Sequence, residues 1–207
     1  MENGEFPQGR GDAEGKREST MDERIERIKN DLANAAADVR AGFRSLSREQ
    51  LNWKPAADSW SVAQCLDHLI KTNNEMKPVI EAKLRGEPNS FWEKVSPLSG
   101  FFGRFLKKSL VNDAKKFKAP SKEIVPPSDV DADIVEQFCR HQQKVIEQVD
   151  ALGKLDWDRT VITSPFLKLM TYHLGDALDI MIEHEKRHIR QAKRVLETEG
   201  FPREVEN

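Results

Sequence analysis

The sequence predicts an all-α fold. Four long stretches carry apolar residues every three or four positions, which marks amphipathic helices. No segment shows sustained strand alternation, and glycine and proline gather between the stretches. Four such helices predict a helix bundle with each apolar stripe turned inward.

Residues 1–20 (MENGEFPQGRGDAEGKREST) are polar and aperiodic, which predicts a disordered tail before a domain spanning 21–203. From Met21, the stripe Ile25, Ile28, Leu32, Ala36, Val39, Phe43 and Leu46 defines the first helix. Pro55 in "LNWKPAADSW" breaks the pattern. Ser61 and Gln64 form a capping-box signature for the second helix, whose buried side is Val62, Leu66, Leu69, Met76, Ile80 and Leu84. Gly86 and Pro88 end it. Residues 87–130 read as a long irregular connection, with a short helix near 101–112. A connection of that length is unusual unless it covers something. Acidic residues at 131–133 open the third helix, with Ile134, Phe138, Val145, Val149 and Leu152 inward. "SPFLKLMTYHLG" leads into the fourth, striped by Leu178, Met181, Ile182, Ile189, Ala192, Val195 and Leu196.

The chain has 207 residues and a net charge of −2, which suits one domain and gives no global attraction to nucleic acid. Its cysteines, Cys65 and Cys139, make no disulfide framework, and no leader is visible, so the expected compartment is the cytoplasm. No apolar run is long enough to span a membrane.

"HEKRH" (184–188) carries two readings. His184 and His188 sit one helical turn apart, about 6 Å between side-chain bases, so two imidazoles can converge on one cation. The same letters fit the zinc-peptidase motif His-Glu-x-x-His, with Glu185 as general base. A zincin needs a third ligand, usually downstream, and no histidine follows His188. Peptidase is therefore the minor alternative. His68, beside Cys65 and Leu69, borders the second helix's stripe and can meet the pair if those helices pack. A lone histidine on an apolar face is more often a hydrogen-bonded core residue. His141 either backs a ligand imidazole or is simply buried, His173 serves the start of the fourth helix, and Cys65 is a thiolate donor or a small buried hydrophobe, the reading that also suits Cys139. Asp67 and Glu183 lie near these histidines in sequence with unknown directions, so no general base stands out.

The stretches "LNWKPAADSWSVAQCLDHLIKT" (51–72) and "YHLGDALDIMIEHEKRHIRQAKRVL" (172–196) together resemble the two signatures of the DinB-like superfamily. The resemblance implies an up-down four-helix bundle holding a divalent metal on His68, His184 and His188. In that pattern Trp60 would pack at the mouth of the second helix, Arg187 and Gln191 match positions common in the family, and all three would be structural or would hold a ligand imidazole's other nitrogen. The implied function is a metal-dependent enzyme, a thiol S-transferase or a hydrolase, acting on a small molecule with a low-molecular-weight thiol as candidate cosubstrate. Three neutral nitrogens leave a cation its full charge and an open position, which lowers the pKa of a water or a thiol. Imidazole favours zinc or nickel, with iron or manganese also open. A homodimer also stays open. The competing class is a non-catalytic helical interaction or stress protein whose histidines are core polar groups. The basic segment 104–118 (Arg104, Lys107, Lys108, Lys115, Lys116, Lys118), interleaved with Phe101, Phe102, Phe105 and Leu106, reads as a solvated cover, an anion-steering patch or an interfacial helix.

Overall fold

The computed structural model describes residues 9–96, 99–111 and 121–203. Helix α1 spans Gly9–Phe43. It therefore takes in residues 9–20, which the sequence reading assigned to a disordered tail; residues 1–8 lie outside the described residues. Ala13, Glu14, Lys16, Arg17 and Glu18 are good helix formers, and they extend a helix already nucleated by its packed part.

Helix α2 is a single short piece, Arg48–Asn52, opened by a capping box between Ser47 and Gln50. Helix α3, Val62–Leu84, starts at the expected box: Ser61 Oγ accepts the Gln64 N–H at 3.1 Å, and Gln64 Oε1 accepts the Ser61 N–H at 3.1 Å. It stops before Gly86, whose φ of +83° is the left-handed conformation that ends helices.

The connection to the next long helix is not uniformly irregular. It contains α4 (Phe91–Val95) and α5 (Ser99–Val111). Lys115, Lys116 and Lys118 of the basic segment lie outside the described residues. Helix α6 follows at Ile134–Leu152 with all five expected stripe residues buried.

A small antiparallel hairpin corrects the expectation of no strands. Strand β1 (Val161–Thr163) pairs with β2 (Thr171–His173), Ile162 opposite Tyr172. Three residues per strand are too few to print an alternation in the sequence. Ile162 and Tyr172 are buried with Ala177 and pack against Met76 and Val79, so the hairpin seats the start of helix α7 (Leu174–Leu196).

Ion pairs across the interfaces fix the directions of the four long helices. Arg27 pairs with Asp179, Asp31 with Lys186 and Asp38 with Lys193, so α1 and α7 run parallel. Lys29 pairs with Asp150 and Arg40 with Glu136, so α1 and α6 run antiparallel. The core agrees. One cluster joins the C-terminal halves of α1 and α7 to the N-terminal halves of α3 and α6, through Val39, Phe43, Leu66, Leu69, Phe138 and Ile189. The other joins Ile28 and Leu32 to Val149, Leu152, Trp157, Leu174 and Leu178. Helices α3 and α6 thus run the same way, which corrects the up-down succession that the resemblance implied, and residues 85–133 return the chain to the end where α3 began. The long connection is long because it traverses the molecule. No helix among the described residues is long and apolar enough to cross a membrane.

Candidate metal centre

The antiparallel packing of α3 on α7 is what lets two distant pieces of sequence meet. Ser61 fixes the first turn of α3, and His68 comes two turns later, buried and facing α7. On α7, His184 and His188 are one turn apart on the facing side. The three rings converge, with centroids 5.1 Å (His68–His184), 4.7 Å (His68–His188) and 4.6 Å (His184–His188) apart. One nitrogen from each falls within 4.8 Å of the others, an arrangement that could hold a metal ion. The Nε2 atoms of His68 and His184 are 3.2 Å apart.

The orientation of His68 is set from outside the cluster. Its Nδ1 lies 2.7 Å from the carbonyl oxygen of Ile124, so the Nδ1–H donates there and the Nε2 lone pair faces the other two rings. The carbonyl comes from the end of the long connection. That segment is tied down by Gln64 Nε2 donating to the Pro127 carbonyl at 2.8 Å, and by Asn52, which exchanges two hydrogen bonds with the Val130 backbone. Trp60 forms a wall, stacked on His188 at 5.5 Å and tilted against His68 at 4.7 Å.

All three imidazoles are held neutral. Burial lowers His68, against the hydrogen bond to Ile124. Burial, with the neighbouring His68 and Arg187, takes His184 down to about 3 and His188 well below its ordinary value. Neutral imidazole is the ligand form, so protons compete weakly for these nitrogens.

The other candidates separate. Arg187 is buried between the α7 histidines in sequence and donates to the Leu110 carbonyl at 3.3 Å, which joins α5 to this side of α7. Gln191 is near enough to favour protonation of His188 slightly, although His188 Nδ1 makes no hydrogen bond. Cys65 is fully buried in the apolar core, and burial pushes its thiol up to about 12, so it stays a thiol. It packs as a hydrophobe and is not in the nitrogen cluster. Cys139 is likewise buried, its thiol pointing to the Ala36 carbonyl at 3.6 Å. His141 on α6 is also outside the cluster, and burial takes it to about 4. His173 is the N-cap of α7 without a capping bond from its side chain. Asp67 and Glu183 are engaged with Lys71 and Lys186. Glu185 is almost completely buried and accepts from Asn73 Nδ2 at 2.8 Å.

Residues 31–192 match the family model of the DinB superfamily, a span that holds all three histidines, Trp60 and the Ile124 carbonyl. The chain belongs to the DinB superfamily. This DinB-superfamily protein is also 30% identical over 159 residues to uncharacterized protein YuaE of Bacillus subtilis (strain 168), covering 75% of the chain and 88% of that relative. No solved structure matches it. Family membership and the histidine cluster together are compatible with a protein that binds a divalent metal ion.

Proposed function

We propose that this DinB-superfamily protein is a divalent-metal-dependent enzyme that acts on a small molecule, as a thiol S-transferase or a hydrolase, with His68, His184 and His188 as the metal ligands. The supporting observation is the convergence of three neutral imidazole nitrogens on one point, with the far nitrogen of His68 held by a backbone carbonyl. That outer hydrogen bond is the usual companion of a metal-bound histidine. Two nitrogens on one tetrahedral zinc stand about 3.4 Å apart, and those of His68 and His184 stand at 3.2 Å.

A divalent cation there supplies Lewis acidity, lowering the pKa of a water or a thiol. The chain's own groups do the rest. Among the described residues no carboxylate joins the cluster, so this donor set carries no negative charge to offset a cation. Trp60 covers one side of two rings, excluding water and strengthening the electrostatics behind it. Arg187 adds a second positive charge beside the α7 pair, which favours an anionic nucleophile such as a thiolate or hydroxide. The four long helices are read as a four-helix bundle with one long crossover.

The peptidase alternative requires Glu185 beside the open coordination position. Its burial and its bond to Asn73 place it in helix packing instead. The test is metal content of untagged protein purified without a metal-affinity column, beside His184→Ala. Stoichiometric zinc or nickel in the wild type, and about a hundredfold weaker retention in the variant, is expected. Loss of one of three ligands leaves too few donors. Absence of metal from the wild type, even after zinc, nickel, iron or manganese is added, refutes the enzyme reading. With metal present, turnover of thiol plus electrophile against hydrolysis of esters and amides separates the two reaction classes.

A further inference from the structure

The strongest unexplained feature lies outside the metal centre. Helices α4 and α5 and the β1–β2 hairpin form a connected group. Glu93 of α4 accepts from Thr163 of β1 at 3.1 Å, Ser96 and Thr171 of β2 share a hydrogen bond of 2.7 Å, and α5 packs on β2 and α7. This group leaves large apolar side chains in solvent. Phe91 is 79% exposed, Leu169 75%, Phe101 55% and Phe105 54%, and Trp92, Val95 and Leu167 join them. Isolated exposed apolar residues need no explanation, but a concentration on three adjoining elements does.

The charges among them are of one sign. Lys94, Arg104, Lys108 and Lys168 are exposed beside these apolar groups. The described parts of α4, α5 and residues 164–170 contain one carboxylate, Glu93, and it is buried against Lys83 at 2.8 Å. On α5, Phe101, Arg104, Phe105 and Lys108 recur at helical spacing along one outward stripe, with Phe101 and Phe105 stacked at 6.0 Å. Gly103 lies on the opposite side, so close to α7 that an added Cβ would meet Asp176. Among the described residues the outward stripe is therefore left exposed.

We propose that α4, α5 and the hairpin tip form a docking surface for an anionic phospholipid bilayer. Aromatic and aliphatic side chains enter the headgroup region while the interleaved cations meet lipid phosphates. A second copy fits this face less well. An isologous contact would bring Arg104, Lys108 and their counterparts together without a carboxylate between them. The inference stands independently of the metal centre.

The test is cosedimentation of the full chain with phosphatidylcholine vesicles and with mixed phosphatidylcholine–phosphatidylglycerol vesicles, at low and high salt. The protein is expected to pellet with the mixed vesicles only and to be released by salt. Arg104→Gln with Lys108→Gln should weaken binding about thirtyfold, at about fivefold per cation. Phe101→Ser with Phe105→Ser should weaken it at least about tenfold. All four residues are exposed or at the surface, so both variants should keep the wild-type helical spectrum and melting curve. Failure to pellet with anionic vesicles at low salt overturns the proposal, as does equal binding by wild type and both variants. A self-association in sedimentation velocity that Phe101→Ser with Phe105→Ser abolishes also overturns it, and assigns the face to a second copy.

Discussion

Glu185 sits next to a candidate metal ligand, yet its chemistry belongs to the core, and Glu185→Gln tests this. The side chain is 1% exposed, Oε1 accepts from Asn73, and Oε2 lacks a hydrogen bond of good geometry among the described residues. Burial raises its pKa from 4.5 to about 7, against the opposing pull of the Gln142 and Asn73 amides. Between those values the folded protein binds a proton that the unfolded chain has released. Stability is therefore full below 4.5 and is lost as pH rises through about 7. The interval corresponds to about 3 kcal/mol at about 1.4 kcal/mol per tenfold. Glutamine has the shape of the neutral acid and can still accept from Asn73. In urea denaturation of metal-free protein, wild type and Glu185→Gln should be nearly equal in stability at about pH 5. At about pH 9 the variant should be the more stable by about 3 kcal/mol. Titrations of other groups cancel in the difference. A difference that stays flat with pH would refute the buried-acid account. Loss of metal-dependent turnover in Glu185→Gln, with metal retained, would instead revive the peptidase reading.

Further expectations concern the site and its supports. Because burial holds all three histidines below their ordinary value, zinc affinity from about pH 7 to about pH 5.5 should fall by less than the roughly six-hundredfold that three ordinary imidazoles would together lose. Competition titration with a chelator at each pH checks this, and a steep fall would show that the nitrogens titrate normally. Lys83→Met strands the Glu93 carboxylate, both side chains being 8% exposed, and should cost about 3 kcal/mol in urea denaturation. Burial disfavours the Glu93 charge, but Lys83, the Ser90 N–H and Thr163 outweigh it and lower the pKa, so that contribution should vanish as pH falls below the ordinary carboxylate value. Ser61→Ala removes the cap of α3 and should cost about 1 kcal/mol by the same measurement.

The long helices were legible because each must bury one stripe, and a stripe repeats over enough turns to be seen. The Ser61–Gln64 box was legible for a related reason: a readable helix follows it. Ser47–Gln50 and Ser90–Glu93 carry the same signature and also form capping boxes, but each opens a helix of five residues, too short for a period to flag it. The meeting of His68 with His184 and His188 could be expected from helix faces and the two signatures. The direction of α6 could not be, since spacing along the chain fixes only how far a connection can reach. Local pattern speaks for residues within a few turns, whereas topology depends on which surfaces find each other.

That distinction also explains what was missed at the candidate metal centre. The group that aims His68 is the Ile124 carbonyl, and every residue has a carbonyl. No residue type could have announced it. What the sequence did offer was indirect: a connection too long to be idle. Its length follows from returning the chain to the first end of α3, and that return brings residues 121–130 across the N-terminal half of α3. The same route leaves α4 and α5 on the outside of the hairpin and α7, with an apolar and basic face turned outward. One topological choice, α6 running alongside α3, thus supplies both the carbonyl that orients the inner site and the surface proposed to meet a bilayer. Shortening the 85–133 segment to a tight turn would force α6 to reverse, and both features would be lost together.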